Sequence, residues 1–475
     1  MPFATHKTKI VGTIGPASRS PDVIEQLIRA GLSIARLNFS HDTFRMHQTT
    51  IKSIRAAAQA VGKRVAILAD LPGPKMRIGQ FNREPILLKQ GDPFTLTTND
   101  ITGDRTRVSV TFARLPHVVK PSDALFLNDG ILHLEVTSVR GNDVHCQVLV
   151  AGELRSRKGL NLPGIELGMS AFTDHDRECL QFALDNGVDA VSQSFVETAA
   201  DIEAVRTAAT ALGYQPFIIA KIERAGALAH LDEIIEAADG IMVARGDLGV
   251  EIPIEQIAVV QKQIIRKANL LGKPVITATQ MLESMVEQTR PTRAEATDVA
   301  NAILDGTDCI MLSAESAMGK YPVEAVTMLA KIATVTETHI PRAAIHDAIL
   351  ADANGARGLQ DLISQGVYSA LQHLSPATVI VPSARGYTAR LVARFRLPVW
   401  ITAVSPHEAT CQHLQFSSGV HAVHVNDRPA NWNAFAKIWL RDNDISGDIV
   451  LLTEGPSPEN PHANNRLEII DLAHS

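Results

Sequence analysis

The stretch FIIAKIERAG, from Phe217 to Gly226, is apolar enough for a buried strand and yet closes on Lys221 and Glu223. Charged side chains rarely sit deep in a protein unless they are paired or hold an ion. Two residues apart on a strand, these two share one face, so a lysine and a carboxylate arrive side by side. MVARGDLGVEIP supplies Asp247 after a second apolar run, and ARLNFSH supplies Arg36 within a third. Glu223 and Asp247 are hard oxygen donors without histidine or thiol in their motifs, a set that suits Mg²⁺ or Mn²⁺ rather than zinc. Arg36 and Lys221 add the positive charge that an anionic substrate such as a phosphate requires. A divalent ion, an arginine and a lysine around one cavity predict phosphoryl transfer or enolate stabilisation.

These residues are far apart in the chain, so the fold has to collect them. Eight short apolar runs start at Lys9, Ser33, Val65, Ala190, Phe217, Gly240, Pro274 and Cys309. Amphipathic stretches of helix length, such as DVIEQLIRA and IEAVRTAATALG, lie between most of them. Ser20-Pro21 reads as a helix start, and Thr173 with Asp176 and Thr292 with Glu295 read as capping boxes. Eight strands alternating with helices predict a closed parallel (β/α)8 barrel, with its site at the C-terminal strand ends. Polar residues do collect there: Arg36, Asn38, Ser40 and His41, then Asp70, Lys221 and Glu223, Arg245 and Asp247. Thr277, Thr279 and Gln280 close the seventh run, and Ser313, Glu315 and Ser316 the eighth. A private ion pair at the rim would explain any one strand; six strands favour a shared site.

About a hundred residues after the third run differ in character, with short alternating runs and Gly, Asp and Asn punctuation. The barrel is therefore read as residues 1–71 and 169–340, with a small β-barrel lid domain inserted at 72–168. From 341 to 475 the pattern restarts as a separate α/β domain with an open sheet. A net charge of -6 and the absence of a basic block give no reason to expect nucleic acid or an anionic membrane. MPFATHKTKI has no apolar signal core, and no run is long enough to span a bilayer. The four cysteines are widely spaced and form no CxxC pair. A cytoplasmic protein is expected.

The blocks ARLNFSH, RKGLNLPG, KIERAG, MVARGDLGVEIP, ITATQMLESM and RPTRAEATDVANAILDGTDCIMLSAESA, in this order along the chain, resemble the pyruvate kinase family, and the match covers nearly the whole chain. The resemblance implies transfer of the phosphoryl group of phosphoenolpyruvate to ADP, giving pyruvate and ATP in glycolysis. It implies that Glu223 and Asp247 hold Mg²⁺, that Lys221 meets the transferring phosphoryl group, and that Arg36 clamps it. Gly246 would admit the substrate close to the backbone, and Thr279 would lie near the enolate carbon. Asn38, His41, Arg77 and Lys158 map onto the nucleotide contacts. A homotetramer is implied by the family alone. A Mg²⁺-dependent lyase of the same barrel group would share the metal pair, but it leaves Arg77, Lys158 and the lid unexplained.

Departures from the family pattern carry their own expectations. Many members need K⁺, held near Asn38, Ser40 and Asp70. Here Leu71 replaces a hydroxyl ligand and Lys75 stands where a glutamate accompanies the ion, as in the K⁺-independent branch, so K⁺ is not expected to be required. KIER replaces the commoner KIEN, and Asn128 precedes Asp129 where two aspartates are usual. In the C-terminal domain PSARGYTAR resembles the family's effector phosphate loop, through Ser383, Gly386 and Thr388, with Arg385 replacing a serine. Its place between strand and helix would let amides bind an anion. A phosphorylated allosteric effector, a sugar monophosphate or AMP rather than a bisphosphate, is expected. The loop EGPSPENPHANNRLEI departs from the usual threonine-rich turn.

Overall fold

The computed structural model describes residues 3–351, 358–456, 462 and 464–474. All eight runs form strands: β1 (Lys9–Thr13), β2 (Leu32–Asn38), β3 (Ala66–Leu71), β4 (Ala190–Gln193), β5 (Phe217–Ile222), β6 (Gly240–Ala244), β7 (Val275–Ala278) and β8 (Cys309–Leu312). They close into a parallel barrel in the order β1-β8-β7-β6-β5-β4-β3-β2. Thr173 and Thr292 both close capping boxes, with Asp176 and Glu295. Ser20 precedes a helix that begins at Pro21, but its side chain makes no capping hydrogen bond.

The pleat decides what faces inward. Ile34, Leu68, Ala190 and Ile219 belong to the apolar column inside the barrel. Ala35, Ile67, Val191 and Ala220 join the larger cluster between barrel and helices. Two residues beyond each inward position, on the same face, stand Arg36, Asp70, Ser192 and Lys221. The barrel is therefore apolar at its floor and polar at its C-terminal mouth, as a direct result of alternation.

The inserted segment carries a six-stranded sheet around its own core, which includes Phe94, Leu96, Leu125, Leu134, Val144 and Val148. Its pairings are antiparallel except that of Pro93–Thr97 with Arg107–Ser109. The outgoing and returning chains bond to each other: Ile78 N donates to Lys158 O and Leu160 N to Met76 O, each at 3.0 Å. Arg77 and Gly159 pair across the same ribbon. At the far side a Cβ on Gly130 would come 3.3 Å from Val250 Cγ1, so the turn at 128–130 lies against the helix Arg245–Glu251.

The C-terminal sheet comprises β9 (Thr378–Pro382), β10 (Ile401–Ser405), β11 (Val420–His424), β12 (Ile449–Glu454) and β13 (Arg466–Asp471). Its order is β11-β10-β9-β12-β13, parallel except for the last pair. The domain docks on the barrel floor. Phe416 is fully buried in the barrel's interior column, stacked on Phe217 at 5.3 Å. Cys309 Sγ donates to Phe416 O, and Arg396 grips Asp308 with contacts of 2.7 and 2.9 Å. Phe416→Ala should leave a cavity at this floor and cost about 3–5 kcal/mol, seen as a lower midpoint in urea or thermal unfolding; an unchanged midpoint would contradict the packing role.

Candidate active site

The mouth is organised around one ammonium. Lys221 Nζ lies 2.8 Å from Glu223 Oε1, donates to Ser194 Oγ at 2.7 Å and stands 3.3 Å from Asp70 Oδ1. Asp70 also accepts from Arg36, through Nε at 3.2 Å and through Nη2, and from Ser192 Oγ at 2.6 Å. Arg36 Nη1 donates to Thr13 Oγ1 at 2.8 Å, which itself donates to Leu312 O. The second oxygen of Glu223 accepts from Phe195 N at 2.8 Å. Arg36, Asp70, Lys221 and Glu223 are all buried.

Burial alone would raise the Asp70 carboxyl, but Lys221, Arg36 and the Ser192 hydroxyl hold it far below the usual carboxylate range. Lys221 is likewise raised, because Asp70 and Glu223 outweigh the burial that would lower it. Glu223 goes the other way. Burial pushes it well above an ordinary carboxylate, and Lys221 does not offset this because Asp247 and Asp70 add like charge. Asp247 is raised for the same kind of reason, burial first, with Asp129 and Asp70 as neighbouring anions. Its side chain is nevertheless open to solvent across the mouth, so water screens part of that shift.

Two raised carboxylates that repel each other fit a divalent cation, which would relieve both effects at once. Among the described residues no cluster of three or more His, Cys, Asp and Glu side chains gathers as a metal site. The candidate donor set is therefore the pair Glu223 and Asp247.

Other expected residues fall into two groups. Lys75 is half-buried, and burial and Arg77 pull its ammonium down to about 8, against the raising effect of Asp70 and Asp247. Asn38 and Ser40 form the turn after β2, where Asn38 Oδ1 accepts from Ser40 N at 3.0 Å. His41, exposed beyond that turn, is lowered by partial burial and by Lys75, Arg77 and Arg36. Arg77 and Lys158 sit on opposite strands of the stalk. Thr277, Glu315 and Ser316 are instead engaged in structure. Thr277 donates to Thr307 Oγ1, Glu315 accepts from Leu282 N and Ser313 N, and Ser316 donates to Thr13 O.

Thr279 occupies the left-handed region at φ 68, followed by Gln280 at φ 53, and Phe195 lies at φ 59. A β-branched residue there is strained. Thr279 Oγ1 donates to Ala278 O and accepts from Gly246 N at 2.8 Å, so it ties the β7 end to the helix that carries Asp247. Arg245 fixes the same turn through Thr279 O at 2.7 Å and Asp298 at 2.6 Å. Thr13, Ser192 and Ser194 escaped the sequence reading, although the spacing in AVSQSF places both serines on the inward face. Arg224 is visible in the sequence only as the departure KIER for KIEN, with no role, since its partners are distant in the chain.

In the C-terminal domain Ser383, Arg385 and Thr388 line a cavity of about 960 Å³ with Arg428, Trp432 and Glu454. Gly386 adopts φ 75, and a Cβ there would meet Leu414 Cδ2 at 3.0 Å. Residues 457–461 and 463 of the EGPSPENPHANNRLEI loop lie outside the described residues.

Residues 5–326 match the family described as "Pyruvate kinase, barrel domain", and residues 361–470 "Pyruvate kinase, alpha/beta domain". A pyruvate kinase of Thermococcus litoralis is 44% identical over 99% of this chain and 100% of its own length. One from Geobacillus stearothermophilus is 42% identical over 94% of this chain and 77% of its own. A crystal structure of a pyruvate kinase from Cryptosporidium parvum superposes with a TM-score of 0.92 at 34% identity, covering 98% of this chain and 96% of that one.

The raised Glu223 yields a pH expectation. Below its elevated pKa the group carries a proton that cation binding must expel, so the apparent Mg²⁺ affinity should fall as pH drops, by up to about tenfold per unit. Calorimetric titration in buffers of different ionisation enthalpy checks this. Affinity that is independent of pH from 6 to 8, with no proton release, would contradict it.

Proposed function

The chain belongs to the pyruvate kinase family, and we propose that the mouth residues divide the work of its reaction in the way their geometry suits. The chain is a phosphotransferase that moves the phosphoryl group of phosphoenolpyruvate to ADP, leaving pyruvate and ATP. The observation that carries the assignment of roles is the buried Lys221 held against Glu223 and Asp70, with Asp247 close enough to feel its charge.

Glu223 and Asp247 would hold Mg²⁺ or Mn²⁺, which when bound neutralises charge on the substrate oxygens and the transferring phosphoryl group. Lys221 presents a fixed cation to the equatorial oxygens, where charge spreads in the transition state. Arg36, kept in place by Asp70 and Thr13, clamps the phosphate from the β2 side. Gly246, without a side chain, lets the substrate approach the helix backbone. Thr279 lies beside Gly246, where its hydroxyl, turned from Ala278 O, would help deliver a proton to the enolate carbon by passing on one that a solvent water returns to its oxygen. Asn38, His41, Arg77 and Lys158 receive the ADP phosphates as the lid settles; the paired stalk strands bearing Arg77 and Lys158 support that reading.

K⁺ independence follows from Lys75. Its ammonium lies in the field of Asp70, Lys221 and Asp247, and Leu71 is buried among barrel and helix side chains where a hydroxyl ligand would be needed. At about 4 Å and an effective dielectric near 20, one positive charge is worth roughly 4 kcal/mol against a phosphate charge, whichever cation bears it. The cavity around Ser383, Arg385, Gly386 and Thr388 is assigned to a phosphorylated effector, supported by its size and its arginines. We also assign a homotetramer, supported by the exposed Leu359, Leu362 and Ile469 on the C-terminal domain. A cytoplasmic location accords with four buried free cysteines, and no helix of the described residues is long and apolar enough to cross a membrane.

A coupled pyruvate assay with ADP, Mg²⁺ and phosphoenolpyruvate tests the set. Lys221→Met should lower kcat by three orders of magnitude or more with the fold intact by circular dichroism; turnover near wild type would remove Lys221 from the chemistry. In tetramethylammonium buffer, added K⁺ should change wild-type activity less than twofold. Lys75→Glu should then lose at least tenfold, and K⁺ should restore part of that loss; a wild-type requirement for K⁺ would refute the substitution of ammonium for ion.

A further inference from the structure

Arg224 follows Glu223 directly and is only 2% exposed, yet it pairs with neither Lys221 nor Asp70 and turns away from the mouth toward Glu197 and Glu251. Its guanidinium reaches three separate elements. Nη2 donates to Ile165 O at 2.8 Å and approaches Leu162 O at 3.5 Å, both on the chain returning from the inserted domain. Nη2 also stands 3.1 Å from Glu197 Oε1, in the loop after β4. Nε lies 3.3 Å from Glu251 Oε2, at the end of the helix Arg245–Glu251 that bears Gly246 and Asp247. Glu251 in turn accepts from Ala225 N at 3.4 Å, so helix and β5 loop are joined twice.

We infer that Arg224 is a positioning residue for phosphoryl transfer: it latches the lid's return segment and the Asp247 helix to the loop that carries Glu223. The inference rests on the assignment of Glu223 and Asp247 as the cation-holding pair. The two carboxylates come from different strand ends, β5 and β6, and nothing in the barrel ladder fixes the loops beyond those ends. The guanidinium spreads its charge over Nη2 and Nε, which lie 3.1 and 3.3 Å from two different carboxylates, while Nη2 also donates to a backbone carbonyl. Nε and Nη1 themselves make no hydrogen bond; an ammonium, a single point of charge, does not span both carboxylates. The 128–130 turn of the inserted domain already lies against the Asp247 helix, and Lys158 stands on the returning strand of the stalk. Leu162 and Ile165 lie four and seven residues after Lys158, so the latch sets where that strand starts from. A small displacement at such a joint is expected to act on turnover, because reacting groups tolerate little misplacement. An arginine that merely neutralised buried Glu251 would need no contact with the lid segment.

Removing Arg224 alone strands Glu251 in a buried site and threatens folding. The informative variant is therefore Arg224→Met with Glu251→Gln, which deletes one cation and one anion together. We expect it to unfold cooperatively near the wild-type midpoint, with kcat at least tenfold lower and KM for phosphoenolpyruvate within about threefold. Amide hydrogen exchange across residues 160–168 should quicken in the ligand-free protein, a readout independent of turnover. Arg224→Lys should recover only part of both effects. Lys221→Met serves as the control, expected to be inactive with wild-type exchange at 160–168. Wild-type kcat in the double variant, unchanged exchange at 160–168, or full rescue by lysine would each overturn the latch. Retained turnover in Lys221→Met would instead strike the assignment of the mouth and leave the exchange result standing.

Discussion

The structure depends on one charge balance inside the barrel. Arg36 and Lys221 are the buried cations of the mouth, and Asp70 and Glu223 are their buried anions. Taking such groups from water costs several kcal/mol per ion, and only close pairing with full hydrogen bonding returns it. The pairing is close here: Asp70 accepts from two cations and a serine, while Lys221 reaches two carboxylates and a serine. Asp247 is left over as an excess negative charge at the open rim, where the proposed divalent cation would enter. The donors proposed to face a phosphate are thus aligned before it would arrive, and their desolvation is met during folding rather than at the moment of reaction.

That balance needs loops held in conformations that short-range preference disfavours. Phe195 at φ 59 turns its amide toward Glu223, and Thr279 at φ 68 turns its hydroxyl toward Gly246. Left-handed backbone at such residues costs about 1–3 kcal/mol each and persists only where the surroundings over-determine it. Arg245 supplies this for the second case, with bonds to Ala278 O, Thr279 O and Asp298 around one guanidinium. The β6 and β7 ends therefore move as one piece, and the helix carrying Asp247 belongs to it.

Much of this was legible in the chain. Period-two alternation and the spacing of eight runs were enough for the barrel, because an inward position below the mouth forces the inward position two residues on. Lys221 and Glu223 were legible as a pair for the same reason, and they meet at 2.8 Å. Parity also explains why some rim groups are engaged in structure. Ile276 faces the interior column, so Thr277 must face the helices, where it meets Thr307. Glu315 lies past the end of its strand and is spent on the amides of Leu282 and Ser313. Ser192 and Ser194 have no distinguishing chemistry in one dimension, and Arg224 acquires meaning only beside Glu197 and Glu251. Contacts between distant segments leave no local period to read.

β5 brings these threads together, since it is loaded at both ends. Its first residue, Phe217, stacks on Phe416 from the C-terminal domain, and His413 and the Arg390 guanidinium lie 5.4 and 5.9 Å from the same ring. Its other end presents Lys221, four residues and roughly 13 Å further along an extended strand. β5 is bonded on both sides, to β4 and β6, through four register pairs each. A strand held so cannot slide alone without breaking both ladders. Arg390 also lines the large cavity of the C-terminal domain, so that cavity and the foot of the catalytic strand share a side chain.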